Sequence, residues 1–310
     1  MISFGGNIFA GIKEQFRKFA GEFEHWLVQE DGRIVDLYKS ITTIFECKPE
    51  YFFKYCVNAT AENQKNDREY YQGLKNYVDS VVYPDFPYSH VYAIKEVVEK
   101  IPADSVLHLS INDSIRITNF FKLNPRIKTY ANIGTHGIDG CLSSFLGQAA
   151  AGNKQSYLVI GDLAFFYDMN AMRLRHIKNN VHILLINNEG GSEFYFNHMW
   201  KDEASDLHTT ARHHTKAEGW VKSNNFIYLS AHDKESMQEA LKEFMRSDLE
   251  KPVFLEVFTE MKTDSDVIYD FFDLSRPKDV QSETIRRSKE FIKATIGQEK
   301  AQKIAGLFKK

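Results

Sequence analysis

The sequence predicts an α/β fold built on a doubly wound parallel sheet, and three observations carry that expectation. From Val106-Leu107-His108-Leu109-Ser110-Ile111 to Val253-Phe254-Leu255-Glu256-Val257, short apolar runs alternate with segments of helical period. That alternation is the pattern of strand, helix, strand units in a parallel sheet. Two of the runs, Ser156 to Ile160 and Val181 to Ile186, end on small or polar residues, Gly161-Asp162 and Asn187-Asn188. A helix is expected to open at about Leu163, directly behind the first of those ends.

Ahead of this region, Met1 to Phe4 reads as a strand, residues 7 to 20 as an amphipathic helix, and Glu24 to Val28 as another strand closing in the turn Glu30-Asp31-Gly32-Arg33. Between about 60 and 100, aromatic and charged residues recur at helical spacing. Tyr70-Tyr71-Gln72-Gly73-Leu74-Lys75-Asn76-Tyr77-Val78 reads as an amphipathic helix that packs its tyrosines, in preference to a stacking platform for bases. Tyr83 to Pro87 makes a break, and Tyr88 to Lys100 forms a further helix. Ser282 to Lys310 is a basic amphipathic tail, expected to dock on the body or on a partner subunit in preference to a membrane surface. The boundaries implied are 1–57, 58–102, 103–275 and 276–310.

Composition narrows the class. The 310 residues suggest about two domains, and a formal net charge of −3 gives no reason to expect nucleic acid. Cys47, Cys56 and Cys141 are odd in number and without metal spacing, so they read as reduced thiols of a cytoplasmic protein. No apolar run approaches the ~20 residues of a membrane span, and Met1 to Gly6 lacks the basic start of a signal peptide.

The strand ends carry the chemistry. A right-handed crossover sets the two strands side by side, so Asp162 and Asn188 can converge on one cation. Mg²⁺ takes hard oxygen ligands, commonly one or two from protein and the rest from phosphate and water. The free N–H groups of the turn at Gly161-Asp162-Leu163-Ala164 are placed for a diphosphate, and glycine permits close approach. Either pair alone would be an ordinary set of turn residues.

Gly134-Thr135-His136-Gly137-Ile138-Asp139-Gly140, Gly161 to Asn170 and Asn187-Asn188-Glu189-Gly190-Gly191 together resemble the thiamin-diphosphate motif of the MenD-type enzymes, the 2-succinyl-5-enolpyruvyl-6-hydroxy-3-cyclohexene-1-carboxylate synthases of menaquinone synthesis. The resemblance implies a thiamin-diphosphate- and Mg²⁺-binding domain over 103–275, a helical connection over 58–102, and the second half of a middle domain over 1–57. It implies a 2-oxo-acid decarboxylase and carboligase, with 2-oxoglutarate and isochorismate as the family's substrates.

By position in the motif, Asp162, the Asn188 side chain and the Gly190 carbonyl match the metal ligands. Gly137, Gly161, Leu163 and Ala164 match cofactor contacts, although Ala164 stands where the family often has serine. Ile138 matches the bulky residue that bends the cofactor; as a residue read alone it is a core position at a helix start. His136 is the proton-relay candidate, because it lies within the motif. His198, His208, His213 and His214 read as loop or cap residues.

Substrate recognition departs from the family. Arg116 matches an arginine that forks a substrate carboxylate, with a surface salt bridge as the alternative. Ile133 replaces a second arginine, and Glu193-Phe194 replaces an apolar pair, so the pocket is expected to disfavour the family's anionic acceptor. The family's amino-terminal pyrimidine-binding domain, with its activating glutamate, has no counterpart by motif. The expected partner is therefore a pyrimidine-domain chain or a second copy. A split lyase with a different substrate and a non-catalytic cofactor-binding remnant remain the alternatives.

Overall fold

The computed structural model describes residues 1–5, 10–60, 68–134, 137–196 and 207–275. Two compact units emerge, Met1–Ser80 and the chain from Val81 onward. The first holds three parallel strands in the order β1 (Ile2–Phe4), β2 (His25–Val28), β3 (Ile41–Phe45), with helices α1 (Ala10–Arg17), α2 (Pro49–Thr60) and α3 (Glu69–Asp79). The α3 helix forms where its period predicts, but none of its residues is buried, and Tyr70 and Tyr71 are 80% and 64% exposed. Periodicity dictates helix and stripe; it does not say what covers the stripe.

The second unit is a six-stranded, all-parallel sheet. Along the chain it runs α4 (His90–Val98), β4 (Val106–Leu109), α5 (Asp113–Thr118), β5 (Lys128–Ala131), α6 (Cys141–Ala151), β6 (Ser156–Gly161), α7 (Asp162–Asp168) and β7 (Val181–Asn187). It continues through α8 (Ser192–Phe196), α9 (Glu218–Ser223), β8 (Ile227–Ala231), α10 (Lys234–Phe244), β9 (Val253–Phe258) and α11 (Met261–Ser275). The strands lie in the order β5-β4-β6-β7-β9-β8. This is the doubly wound α/β class that the alternation of runs predicts.

Both faces are covered because successive strand residues point to opposite sides. Tyr157, Val159, Leu184, Ile186 and Leu255 join one core with α4, α10 and α11; Leu158, Ile160, Ile183, Leu185 and Phe254 join the other with α6, α7 and α9. Ser89 starts α4 by accepting the Tyr92 amide hydrogen bond, and Asp233 with Ser236 forms a capping box on α10. The strand expected through Ile111 ends at Leu109. Past it the chain turns sharply, and Asn112 takes φ +63° and ψ −122°, a conformation that costs a non-glycine residue about 1–3 kcal/mol.

A histidine near the start of β7 makes the fold sensitive to acid. His182 is fully buried, stacks on Tyr157 at 4.5 Å and has Nδ1 2.7 Å from the Phe244 carbonyl. Burial pushes its ring down to about 4 from 6.5. The unfolded chain therefore takes up the proton first, so stability is complete above about pH 6.5 and falls as pH drops toward 4. At 1.36 kcal/mol per unit, the loss is about 3 kcal/mol. Urea midpoints at pH 7 and pH 4 should differ less in His182→Gln than in the parent; an equal difference would remove His182 as the cause.

Among the described residues no helix is long and apolar enough to cross a membrane. The amphipathic segment 282–310, His136 and His198 lie outside the described residues.

Candidate active site

The carboxyl ends of β4, β6 and β7 enclose one cavity. It is lined by the turns that follow them: Ser110 to Ser114, Gly161 to Ala164, and Asn188 with Gly190 to Phe194. The chain leaves β4 outward to β5, then returns to β6 on the opposite flank of β4. Connections that part in this way leave a crevice at the strand ends, the usual ligand position in open α/β sheets.

Asp162 lies at the floor of this crevice and is 2% exposed. Its Oδ1 accepts the Leu163 amide hydrogen bond at 2.6 Å, and its Oδ2 accepts that of Gly190 at 2.9 Å. The sequence leads one to expect free N–H groups in this turn, and the structure corrects that for Leu163, whose amide already donates to the neighbouring Asp162 carboxylate. The Gly190 bond holds the end of β7 against the end of β6. Gly190 has φ +152°, and a Cβ there would lie 2.7 Å from the Thr210 carbonyl oxygen, so only glycine fits.

Asn188 is 6% exposed and donates through Nδ2 to Asp264 Oδ2 at 2.9 Å. Asp264, with no exposed surface, also accepts from the His90 amide at 2.8 Å and the Thr259 hydroxyl at 2.6 Å. Burial opposes its charge. The His90 ring, 3.2 Å away, and the bonds from Thr259 and Asn188 nonetheless hold its carboxyl below the ordinary aspartate value. Burial likewise works against a charged His90, but Asp264 and Asp113 hold that ring above its ordinary value.

One wall of the cavity is acidic. Asp113 Oδ2 accepts from the Ser192 hydroxyl at 2.7 Å, and Glu193 Oε1 lies 2.6 Å from Arg116 Nη1, which is 3.9 Å from Asp113. The two substrate candidates of opposite sign, Arg116 and Glu193, are therefore one ion pair. Gly161, Asp162, Leu163, Ala164, Ile138, Asn188, Gly190, Glu193 and Phe194 line the cavity together. Gly137 adjoins Ile138 in the chain, Arg116 stands behind Glu193, and Ile133 is 46% exposed.

Sequence reasoning missed four participants. His90, Asp264 and Thr259 carry no motif and reach the site only by folding. His213, read as a loop residue, places Nε2 3.3 Å from Asp162 Oδ2, and that carboxylate holds its ring above the ordinary value. The reason is a local stitch: Gly191 donates to Thr210 and His213 to Glu189, which folds the 210–213 backbone over the end of β7.

Asp162, Asn188 and Gly190 bring one carboxylate, one amide and one backbone carbonyl to the cavity, the carbonyl also accepting the Ser192 amide hydrogen bond at 3.1 Å. Such oxygens would suit a hard cation, and among the described residues there is no group of three or more His, Cys, Asp or Glu side chains that could hold a metal ion. A Mg²⁺ here would complete its shell with phosphate and water oxygens.

Known proteins are similar to this chain in sequence. Over 277 residues the chain is 34% identical to 2-succinyl-5-enolpyruvyl-6-hydroxy-3-cyclohexene-1-carboxylate synthase of Phocaeicola vulgatus, covering 88% of this chain and 49% of that protein. The chain is homologous to the carboxyl-terminal half of this synthase. The synthase of Bacteroides fragilis is 34% identical over 275 residues, again 88% and 49%, and that of Bacteroides thetaiotaomicron 33% over 280 residues, 90% and 50%. The chain thus spans about half the length of the curated relatives it matches. No protein-family model matches it.

Proposed function

We propose that this chain carries the thiamin-diphosphate- and Mg²⁺-binding part of a 2-oxo-acid decarboxylase and carboligase of the menaquinone-pathway type. The observation that carries this reading is the convergence of Asp162, Asn188 and Gly190 with Ile138 on one crevice at the sheet's switch point. Asp162, the Asn188 amide oxygen and the Gly190 carbonyl would hold the cation, and the Gly161 to Ala164 turn the diphosphate. Ile138, half-buried against the α6 and α7 core, would press on the cofactor between its rings. When bound, the cofactor supplies a carbon nucleophile and holds the electrons left by departing CO₂. Leu163, Ile186 and Phe194 put apolar surface on the cavity wall, where it would help keep water from the bound cofactor. In the family the pyrimidine end is held by a separate domain, supplied by another stretch of polypeptide or by a second copy.

Calorimetry tests the assignment. Thiamin diphosphate should bind the chain with Mg²⁺ present and lose at least about tenfold in affinity when the ion is chelated, 1.4 kcal/mol or more. Equal binding with and without the ion would sink the reading.

The Arg116–Glu193 pair favours a substrate other than the family's. A guanidinium already held at 2.6 Å by a carboxylate must exchange that partner before it can grip a ligand's. Beside it Asp113 adds a further negative charge, so a second carboxylate on the substrate meets a net acidic wall. We infer a less anionic acceptor than isochorismate, and a donor 2-oxo acid without a second carboxylate. In Glu193→Gln the cofactor-loaded protein should bind 2-oxoglutarate about tenfold more tightly, the scale of one charged hydrogen bond regained. Unchanged affinity would show that the pair does not select against carboxylates.

A further inference from the structure

The Asn187-Asn188 pair delivers two amides to one strand end, and the structure treats them differently. Asn187 donates through Nδ2 to the Glu256 carboxylate at 2.7 Å and to the Thr215 carbonyl at 2.9 Å, while its Oδ1 turns back to accept from the Glu189 amide at 3.3 Å. Asn187 is fully used within the protein. Asn188 also has its nitrogen pinned by a buried carboxylate, Asp264. Among the described residues, however, no hydrogen bond reaches its Oδ1, and its side chain lines the cavity beside Asp162.

An amide is symmetric in shape, so packing alone does not decide which end faces the cation. Chemistry does. An ionised carboxylate only accepts hydrogen bonds, whereas the amide nitrogen only donates. With Asp264 behind it, Asn188 must turn its NH₂ inward and its oxygen outward. We propose that Asp264 is the positioning residue of the cation site, fixing the Asn188 amide so that oxygen, and not nitrogen, is presented toward Asp162. This inference rests on the reading of Asn188 as a cation ligand. Asp264 is itself over-determined by the His90 amide, the His90 ring and the Thr259 hydroxyl, which anchor it from α4 and from the end of β9. Residues that hold a metal ligand in orientation commonly change metal affinity 10–100-fold when altered.

The test uses the purified chain with thiamin diphosphate, Mn²⁺ read by electron paramagnetic resonance in place of Mg²⁺, and ¹⁵N-labelled asparagine. In the parent, the Asn188 side-chain NH₂, identified by its loss in Asn188→Asp, should exchange slowly with solvent because it is bonded to a buried carboxylate. Asp264→Asn keeps the shape but can present NH₂ to NH₂, so Asn188 is free to flip. Exchange should then quicken, and Mn²⁺ affinity in the presence of cofactor should fall at least about tenfold. The exchanged pair Asn188→Asp with Asp264→Asn restores a donor behind and oxygens in front, and should recover affinity to within about threefold. A role confined to folding predicts instead that melting temperature and affinity fall together in Asp264→Asn and that the exchanged pair recovers stability without the affinity.

Three results overturn the inference: a fast-exchanging Asn188 amide in the parent, an Asp264→Asn variant that binds Mn²⁺ as tightly as the parent, or an exchanged pair that stays weak. A parent that binds neither ion nor cofactor overturns the proposed function itself, and with it the role of Asp264. That failure is seen before any variant is made, so the two are told apart.

Discussion

Asp162→Ala is expected to abolish Mg²⁺-dependent binding of thiamin diphosphate, with affinity reduced at least about 100-fold, or roughly 2.7 kcal/mol. Asp162 is the only carboxylate in the donor set, and the remaining amide and carbonyl oxygens carry no net charge to offset the cost of stripping water from the ion. The substitution also removes the acceptor for the Leu163 and Gly190 amides. A loosened turn is therefore a competing explanation, and the comparison that separates them is Asp162→Glu. It retains the charge but displaces it by a methylene, so the fold should survive while metal geometry suffers. Calorimetry with and without Mg²⁺, alongside a melting curve for each variant, reads both effects. Asp162→Ala that binds cofactor as tightly as the parent, with the same dependence on Mg²⁺, would sink the site assignment.

What could be read from the sequence follows from which forces act locally. The sheet was legible because strands buried on both faces must be apolar almost throughout, as Ser156 to Ile160 and Val181 to Ile186 are, and because parallel strands require the intervening helices. The floor of the site was legible for the same reason, since strand ends bring Asp162 and Asn188 together whatever the loops do. The supporting residues were not. Asp264 is 76 residues from Asn188 and 174 from His90, and no local pattern marks a carboxylate that works only through partners so distant. Arg116 and Glu193 were each visible as charges in a pocket, but that they cancel one another depends on α5 and α8 meeting across the crevice. The tyrosines of α3 show the limit in the other direction, for a regular stripe predicted packing that the exposed side chains do not show.

Glu256→Ala should be strongly destabilising, by about 3–5 kcal/mol, because it leaves three buried or partly buried donors without an acceptor at roughly 1–3 kcal/mol each. Glu256 occupies the middle of β9, flanked by Leu255 and Val257, and has no exposed surface. Its carboxylate accepts the Ala217 amide through both oxygens at 3.1 Å, the Asn187 Nδ2 at 2.7 Å and the Tyr228 hydroxyl at 2.7 Å. It thus joins α9, β7 and β8 to the strand between the last two. Burial, then the bond to Glu256, push the Tyr228 hydroxyl well above the ordinary tyrosine value, so it remains a donor throughout the useful pH range. Glu256→Gln should cost less, since its amide oxygen keeps one acceptor while its NH₂ meets a donor. The ordering Ala worse than Gln in urea midpoint is the measurement that checks this. A Gln variant as damaged as Ala would mean that charge, and not the count of hydrogen-bond acceptors, is what holds the cluster. Because Asn187 shares this carboxylate and immediately precedes Asn188, loss of Glu256 should also loosen the strand end that presents Asn188, the proposed cation ligand. Cofactor affinity in the surviving folded fraction should then fall as well, linking the core of the sheet to the site at its edge.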